Sequence, residues 1–177
     1  VNTPTSQVAS GSIIADQATT ATDSEAVLKF DVEDLGSSDG LATILTHVRV
    51  IPGPNNTADW SDVIEGIRLE GGGNNVIQDD QNLTISDDEL IIEVTANPDD
   101  EMTIPDNTAK EYTISVFIDP AFATEGDVIQ MAIDNSNDHF FVEDTGSMIS
   151  RNISGFNGND FTIDVVGNGL GFISDAS

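Results

Sequence analysis

The chain has 177 residues, a length that suits one hydrophobic core with short extensions better than two separate domains. Hydrophobic residues make up 38% of it, which is too many for a disordered tail, and no apolar run approaches the roughly 20 residues of a membrane-spanning helix. Five Lys and Arg against 32 Asp and Glu give a formal net charge of −27, so we expect no nucleic-acid partner and no direct membrane insertion.

The chain begins with a stretch rich in Thr, Ser and Ala that contains one modest apolar run, residues 8–15. We interpret residues 1–22 as a linker that leads into a first or edge strand. An apolar terminal segment of this kind could also complete the sheet of a neighbouring copy by strand addition. In that case it would be ordered only in assemblies, and a closed monomer would count against the arrangement.

From residue 25 onward the dominant pattern is an alternation of apolar and polar residues. It is clearest in residues 25–35, where Leu28, Phe30 and Val32 share one face of a half-buried strand. Similar runs follow at residues 44–51, 63–69, 90–95, 112–118, 129–133, 140–142 and 161–165. Turn-forming Gly, Pro, Asn and Asp separate them, and the one candidate helical turn, near residues 56–64, is short enough to leave the fold class unchanged.

About nine or ten such strands, with no helices to form crossovers, predict an all-β fold: a two-sheet antiparallel β-sandwich of immunoglobulin-like or jelly-roll type. We assign the sandwich domain to residues 23–166. Residues 167–177 then form a C-terminal extension that leads to a next module. We therefore expect the chain to be part of a longer, tandemly arranged polypeptide.

Many of the carboxylates cluster in the predicted turns. Calcium prefers six to eight oxygen ligands, and loops between strands can converge to supply them. The predicted metal ligands are Asp31, Asp34, Asp39, Asp99, Asp100, Asp134 and Asp138. The loop of residues 134–138 lacks the Gly and Glu of an EF-hand, so that motif is rejected. The alternative is a solvated acidic surface, as in a protein adapted to saline surroundings.

A single Trp lies in a polar stretch of the sequence. Trp60, together with Asn56 and Asp59, could bind a glycan, since sandwiches often present aromatic platforms to sugars. The alternative is that the indole folds back to cover one end of the core.

Catalytic motifs are absent from the sequence. There is no cysteine, which excludes disulfides, a thiolate nucleophile and cysteine-based metal sites. Neither a nucleophile elbow nor a zinc-protease, phosphate-loop or dinucleotide-binding motif occurs. The carboxylates are so dense that a pair at glycosidase spacing would arise by chance. We interpret both histidines, His47 and His139, as structural, and we predict that the protein is not an enzyme.

Several short strings carry a resemblance to a known family. They are AVLKFDVED (residues 26–34) followed by GSSDGLAT (36–43), NTADW (56–60) with IEG (64–66), and IPDNTAKEYTI (104–114). Over about residues 23–166 the chain resembles a β-sandwich module repeated in very large secreted proteins of Bacteroidota. The resemblance implies an extracellular or cell-surface module, exported by the type IX route and used in adhesins, filaments or gliding-type structures. It brings no catalytic residues.

Together these observations predict an extracellular structural module of a cell-surface adhesin or filament, tandemly repeated or self-assembling and stiffened by calcium. Its expected partners are neighbouring copies or modules of the same protein. The alternative function is that of a glycan-binding β-sandwich module, with surface glycans as partners.

Overall fold

The computed structural model describes residues 1–35, 40–71, 76–77, 83–93, 102–142 and 153–165. They form the all-β sandwich that the alternation predicts. In chain order the strands are β1 (Gly11–Ile14), β2 (Glu25–Glu33), β3 (Thr43–Pro52), β4 (Ile64–Gly71), β5 (Val76–Ile77), β6 (Leu83–Ile85), β7 (Leu90–Glu93), β8 (Thr103–Ile104), β9 (Ala109–Ile118), β10 (Val128–Ile129), β11 (Met131–Ile133), β12 (Phe140–Val142), β13 (Phe156–Asn157) and β14 (Phe161–Asp164). A short helix, α1 (Trp60–Val63), precedes β4, and a 3-10 helix spans Asn137–His139.

The strands form three sheets. The first has the order β2-β9-β4-β5 and is antiparallel throughout. The second has the order β13-β11-β3-β7-β6, and β8 and β12 also pair with the long strand β3. The third, β1-β14-β10, is small and contains a parallel pair, since β1 runs alongside β14 in the same direction. The described residues contain fourteen strands rather than nine or ten, because strands of two residues are too short to produce a visible alternation.

One hydrophobic core lies between the sheets. The largest fully buried side chains include Trp60, Tyr112, Phe30 and Phe161. The rings of Phe30 and Tyr112 stack with centroids 5.3 Å apart, and Phe30 also contacts Phe140 of the facing sheet at 5.4 Å. Aromatic pairs at such separations add specific packing energy to area burial.

No helix in the described part of the chain is long and apolar enough to cross a membrane.

The strand β3 departs from strict alternation. Its buried residues are Thr43, Leu45, Val48 and Val50, so the core-facing phase changes between Leu45 and Val48. The pairing with β12 shifts register at the same place, because Phe141 lies opposite His47 and Val142 opposite Leu45. This two-against-one arrangement is typical of a β-bulge. It leaves His47 half-buried on the outer face, with its ring edge-on to Phe141 at 4.6 Å.

The N-terminal residues pack against the sandwich and contribute Ile13, Ala15 and Ala18 to its core. They also satisfy backbone groups along the free edge of β2. Asn2 forms two backbone hydrogen bonds with Asp31, of 3.0 and 3.1 Å. The packed part of the domain therefore begins before residue 23. Because the segment pairs within its own chain, the structure has the closed form that counts against strand addition by residues 8–15 to a neighbour.

Candidate functional site

The predicted acidic ligands on β2 and just after it, Asp31 and Asp34, lie in different surroundings. Asp34 is 3% exposed, and its Oδ2 accepts a hydrogen bond of 2.8 Å from the hydroxyl of Thr43. Asp31 lies on the outer face of β2. Partial burial raises its pKa, as do the negative charges of Glu111 and Glu33, while Lys29 lowers it. Asp39, Asp99 and Asp100 lie outside the described residues.

Asp134 and Asp138 lie on the loop between β11 and β12. The Oδ1 atom of Asp134 accepts a hydrogen bond of 2.7 Å from the Ser136 amide and lies 2.7 Å from Nε2 of His139. Asp138 is exposed, and its amide donates to the Ser136 hydroxyl at 3.3 Å. Within the residues that the structure describes, no three acidic or histidine side chains are grouped so that they could hold a metal ion. The calcium site stays a prediction.

Trp60 is not available to a sugar. Its side chain is fully buried, and its indole Nε1 donates a hydrogen bond of 2.7 Å to Oδ1 of Asn56. Asp59 is the N-cap of α1, where its Oδ1 accepts from the Ser61 hydroxyl and the Asp62 amide. The indole of Trp60 therefore offers no exposed platform to a sugar, while the predicted glycan contacts of Asn56 and Asp59 stay predictions. The indole is buried because a capped helical turn folds it inward, as the alternative interpretation of Trp60 expects.

A buried glutamine, which the sequence patterns did not single out, ties three loops together near Trp60. The side-chain Oε1 of Gln130 accepts from the Asn55 amide at 3.0 Å. Its Nε2 donates to the Gly158 carbonyl at 3.1 Å and to Oδ1 of Asp160 at 2.7 Å. Gly53 packs so closely that an added Cβ would lie 2.3 Å from the same Oε1. A lone Gln between two apolar strand residues gives no sequence signal for this role.

His139 and Asp134 form a pair that resembles a catalytic base and the carboxylate that orients it. The ring of His139 is fully buried, however, and both nitrogens have partners. Nδ1 lies 2.7 Å from the carbonyl oxygen of Arg49, and Nε2 lies 2.7 Å from Oδ1 of Asp134. Since neither nitrogen faces solvent, the ring cannot reach a substrate in this conformation. Its role here is to join the loop after β11 to the middle of β3.

Asp134 also lines an open groove of about 470 Å³ on the outer face of the second sheet. We call it the Ala132 groove. It is lined, among others, by Ile51, Pro54, Ala132, Asp134, Asn135 and Phe156. The groove combines an apolar floor with one carboxylate and several amide groups, a composition common in binding sites. It is the candidate functional site of the described part of the chain.

Comparison of the chain with protein-family models, with curated protein sequences and with solved structures gave no match.

Proposed function

We propose that the protein is an extracellular structural module of a cell-surface adhesin or filament, joined in tandem or end to end to neighbouring copies of the same protein. The sequence resemblance to secreted Bacteroidota modules supports the location. The observation that carries the proposal is the parallel pair formed by β1 and β14, the first and last strands of the described fold.

The two paired strands meet in register over four positions, from Gly11 opposite Phe161 to Ile14 opposite Asp164. Because the pair is parallel, tension on the two chain ends pulls the strands in opposite directions along their length. All the hydrogen bonds between them are then loaded together. In an antiparallel terminal pair the same tension would break them one after another. A module that bears tension therefore resists unfolding better when its terminal strands are parallel.

The flanking contacts reinforce this pair. The Ala15 amide donates to the Asp164 carbonyl at 3.0 Å, and the Ile118 amide donates to the Ala18 carbonyl at 2.7 Å. Ile13 and Ile163 are both fully buried, so sliding of the two strands would expose apolar surface as well. We therefore regard β1 and β14 as a mechanical clamp.

Single-molecule stretching of a tandem array tests the proposal. Ala15→Pro removes one clamp amide and should clearly lower the unfolding force. The matched control is Ile92→Ala in β7, which truncates a core residue away from the clamp at a cost of about 2–4 kcal/mol. The control should lower the melting temperature with a smaller effect on force. Equal loss of force in both variants would contradict a clamp.

Calcium remains part of the proposal as a stiffening ion for the acidic loops. The surplus of 32 acidic over five basic residues supports it, because hard cations prefer carboxylate oxygens. The alternative is an acidic surface without specific cation sites, whose charges are screened by dissolved salt.

A further inference from the structure

The floor of the Ala132 groove is a row of residues across three strands. Ile51 of β3 lies opposite Ala132 of β11, which in turn lies opposite Asn157 of β13. Ala132 is 5% exposed and points away from the core side occupied by its neighbours Met131 and Ile133. A methyl group between two longer side chains leaves a depression in the sheet surface.

The sides of the groove come from chain segments that are held in place. Pro52 and Pro54 line it where β3 ends, and proline restricts the backbone there. Gly155, before β13, packs against the loop after β11, since an added Cβ would lie 3.1 Å from the Asn135 amide nitrogen. Two loops in such close contact give the groove a shape that exists before a ligand arrives.

The charge of the groove is negative. Burial raises the pKa of Asp134, but the hydrogen bond from the Ser136 amide and the interactions with His139 and Arg49 together lower it more, so the pKa lies below its ordinary value of 3.8. The Asp134 side chain is 47% exposed, and its Oδ2 has no hydrogen-bond partner among the described residues. Of the residues known to line the groove, none is Lys or Arg. Arg49, on the same sheet face, is paired with Glu89.

We propose that the Ala132 groove binds an arginine side chain of a partner polypeptide. A guanidinium group is planar and can pair with a carboxylate through two of its N–H groups. Asp134 supplies the carboxylate, and Asn135 and Asn157, which also line the groove, carry further groups able to accept hydrogen bonds. The aliphatic stem of the arginine fits the apolar floor over Ala132. The net charge of −27 attracts a basic partner before contact. This inference goes beyond the proposed structural role and does not depend on it.

The test uses the full 177-residue chain and two peptides that differ in one chemical group. Acetyl-Gly-Arg-Gly-amide is titrated against its citrulline counterpart, which has the same shape without the charge. Binding is followed by the NMR shifts of the Ala132 and Asn157 amides. We expect the arginine peptide to shift both amides and the citrulline peptide to bind at least about tenfold more weakly.

Three variants separate the groove from the general negative field. Asp134→Asn removes the charge at the site, and Asp138→Asn removes an equal charge from an exposed position on the same loop. Because Asp134→Asn could disturb the His139 contact, Ala132→Leu provides an independent change that fills the depression and keeps every charge. We expect Asp134→Asn and Ala132→Leu to weaken binding at least about tenfold and Asp138→Asn to leave it nearly unchanged.

Several outcomes would overturn the proposal. Equal weakening by Asp134→Asn and Asp138→Asn would mean that only the overall field attracts the peptide. Equal binding of the arginine and citrulline peptides, or no shift of the Ala132 and Asn157 amides, would exclude a guanidinium site. Binding of a neutral oligosaccharide at these amides, with no effect of the arginine peptide, would assign the groove to carbohydrate instead.

Discussion

Buried polar side chains hold the loops of this sandwich in place. Gln130 is 5% exposed and joins loops from three parts of the chain, and His139 is fully buried between the backbone of Arg49 and the carboxylate of Asp134. A buried polar group is costly unless it is hydrogen-bonded, so each such residue fixes its partners in one arrangement.

The first prediction concerns Gln130. Gln130→Ala leaves the Asn55 amide and the Gly158 carbonyl without their side-chain partner. We expect a loss of about 2–3 kcal/mol of unfolding free energy, which corresponds to a melting temperature lower by about 5–10 °C. Gln17→Ala, at an exposed position, is the control and should change little. If the Gln130→Ala protein has the same melting temperature as the wild type, the hydrogen bonds of Gln130 do not stabilise the fold.

At the scale of elements, the N-terminal segment completes the edge of β2 in an unusual way. The side-chain amide of Gln7 acts as a substitute for a strand backbone. Its Oε1 accepts from the Lys29 amide at 2.7 Å, and its Nε2 donates to the Lys29 carbonyl at 3.0 Å. Together, the Gln7 side chain and the Asn2 bridge to Asp31 cover backbone groups that an open strand edge would expose to other chains.

The second prediction follows from that contact. Gln7→Ala should make the Lys29 amide exchange with solvent much faster, because its hydrogen-bond acceptor is lost. The Asp31 amide, which donates to the Asn2 carbonyl, is the internal control and should remain protected. Hydrogen exchange followed by NMR measures both amides. Unchanged protection of Lys29 in the variant would mean that the edge is covered by another group.

The strands were the most predictable elements of the sequence. Leu28, Phe30 and Val32 of β2 are all buried as the alternation predicts, and so are Tyr112 and Ile114 of β9. These strands bury one face along most of their length, and that is the condition under which alternation is informative.

Other features depend on contacts between distant parts of the chain and could not be predicted locally. A one-residue bulge in β3 reverses the phase between Leu45 and Val48 without any change in composition. Trp60 lies in a polar stretch yet is buried, because Asn56 supplies the hydrogen bond that its indole needs. The Ala132 groove brings together β3, β11 and β13, whose pairing order the sequence does not give.

At the scale of the whole molecule, the net charge of −27 is the dominant property. Self-repulsion among the carboxylates opposes the compact state and is screened by salt. A calcium ion bound at specific loops would add stability beyond this screening, since it binds only the folded chain.

The third prediction separates these two effects by thermal melts in EDTA, in millimolar calcium, and in molar sodium chloride with EDTA. If calcium stiffens the module, calcium alone should raise the melting temperature by more than about 5 °C beyond the rise that salt gives. A rise with salt and none with calcium would remove calcium from the proposal and leave a screened acidic coat.

The clamp formed by β1 and β14 is the central claim, and the direction of pulling tests it most directly. The chain has no cysteine, so attachment points can be placed by substitution at chosen sites. Tension applied through the chain ends loads the parallel pair along its length. Tension applied through Asp16→Cys and Val165→Cys, which follow the same end of both strands, separates the pair one hydrogen bond at a time. We predict a markedly higher unfolding force in the first geometry. Equal forces in the two geometries would contradict the clamp and, with it, the proposal of a load-bearing module.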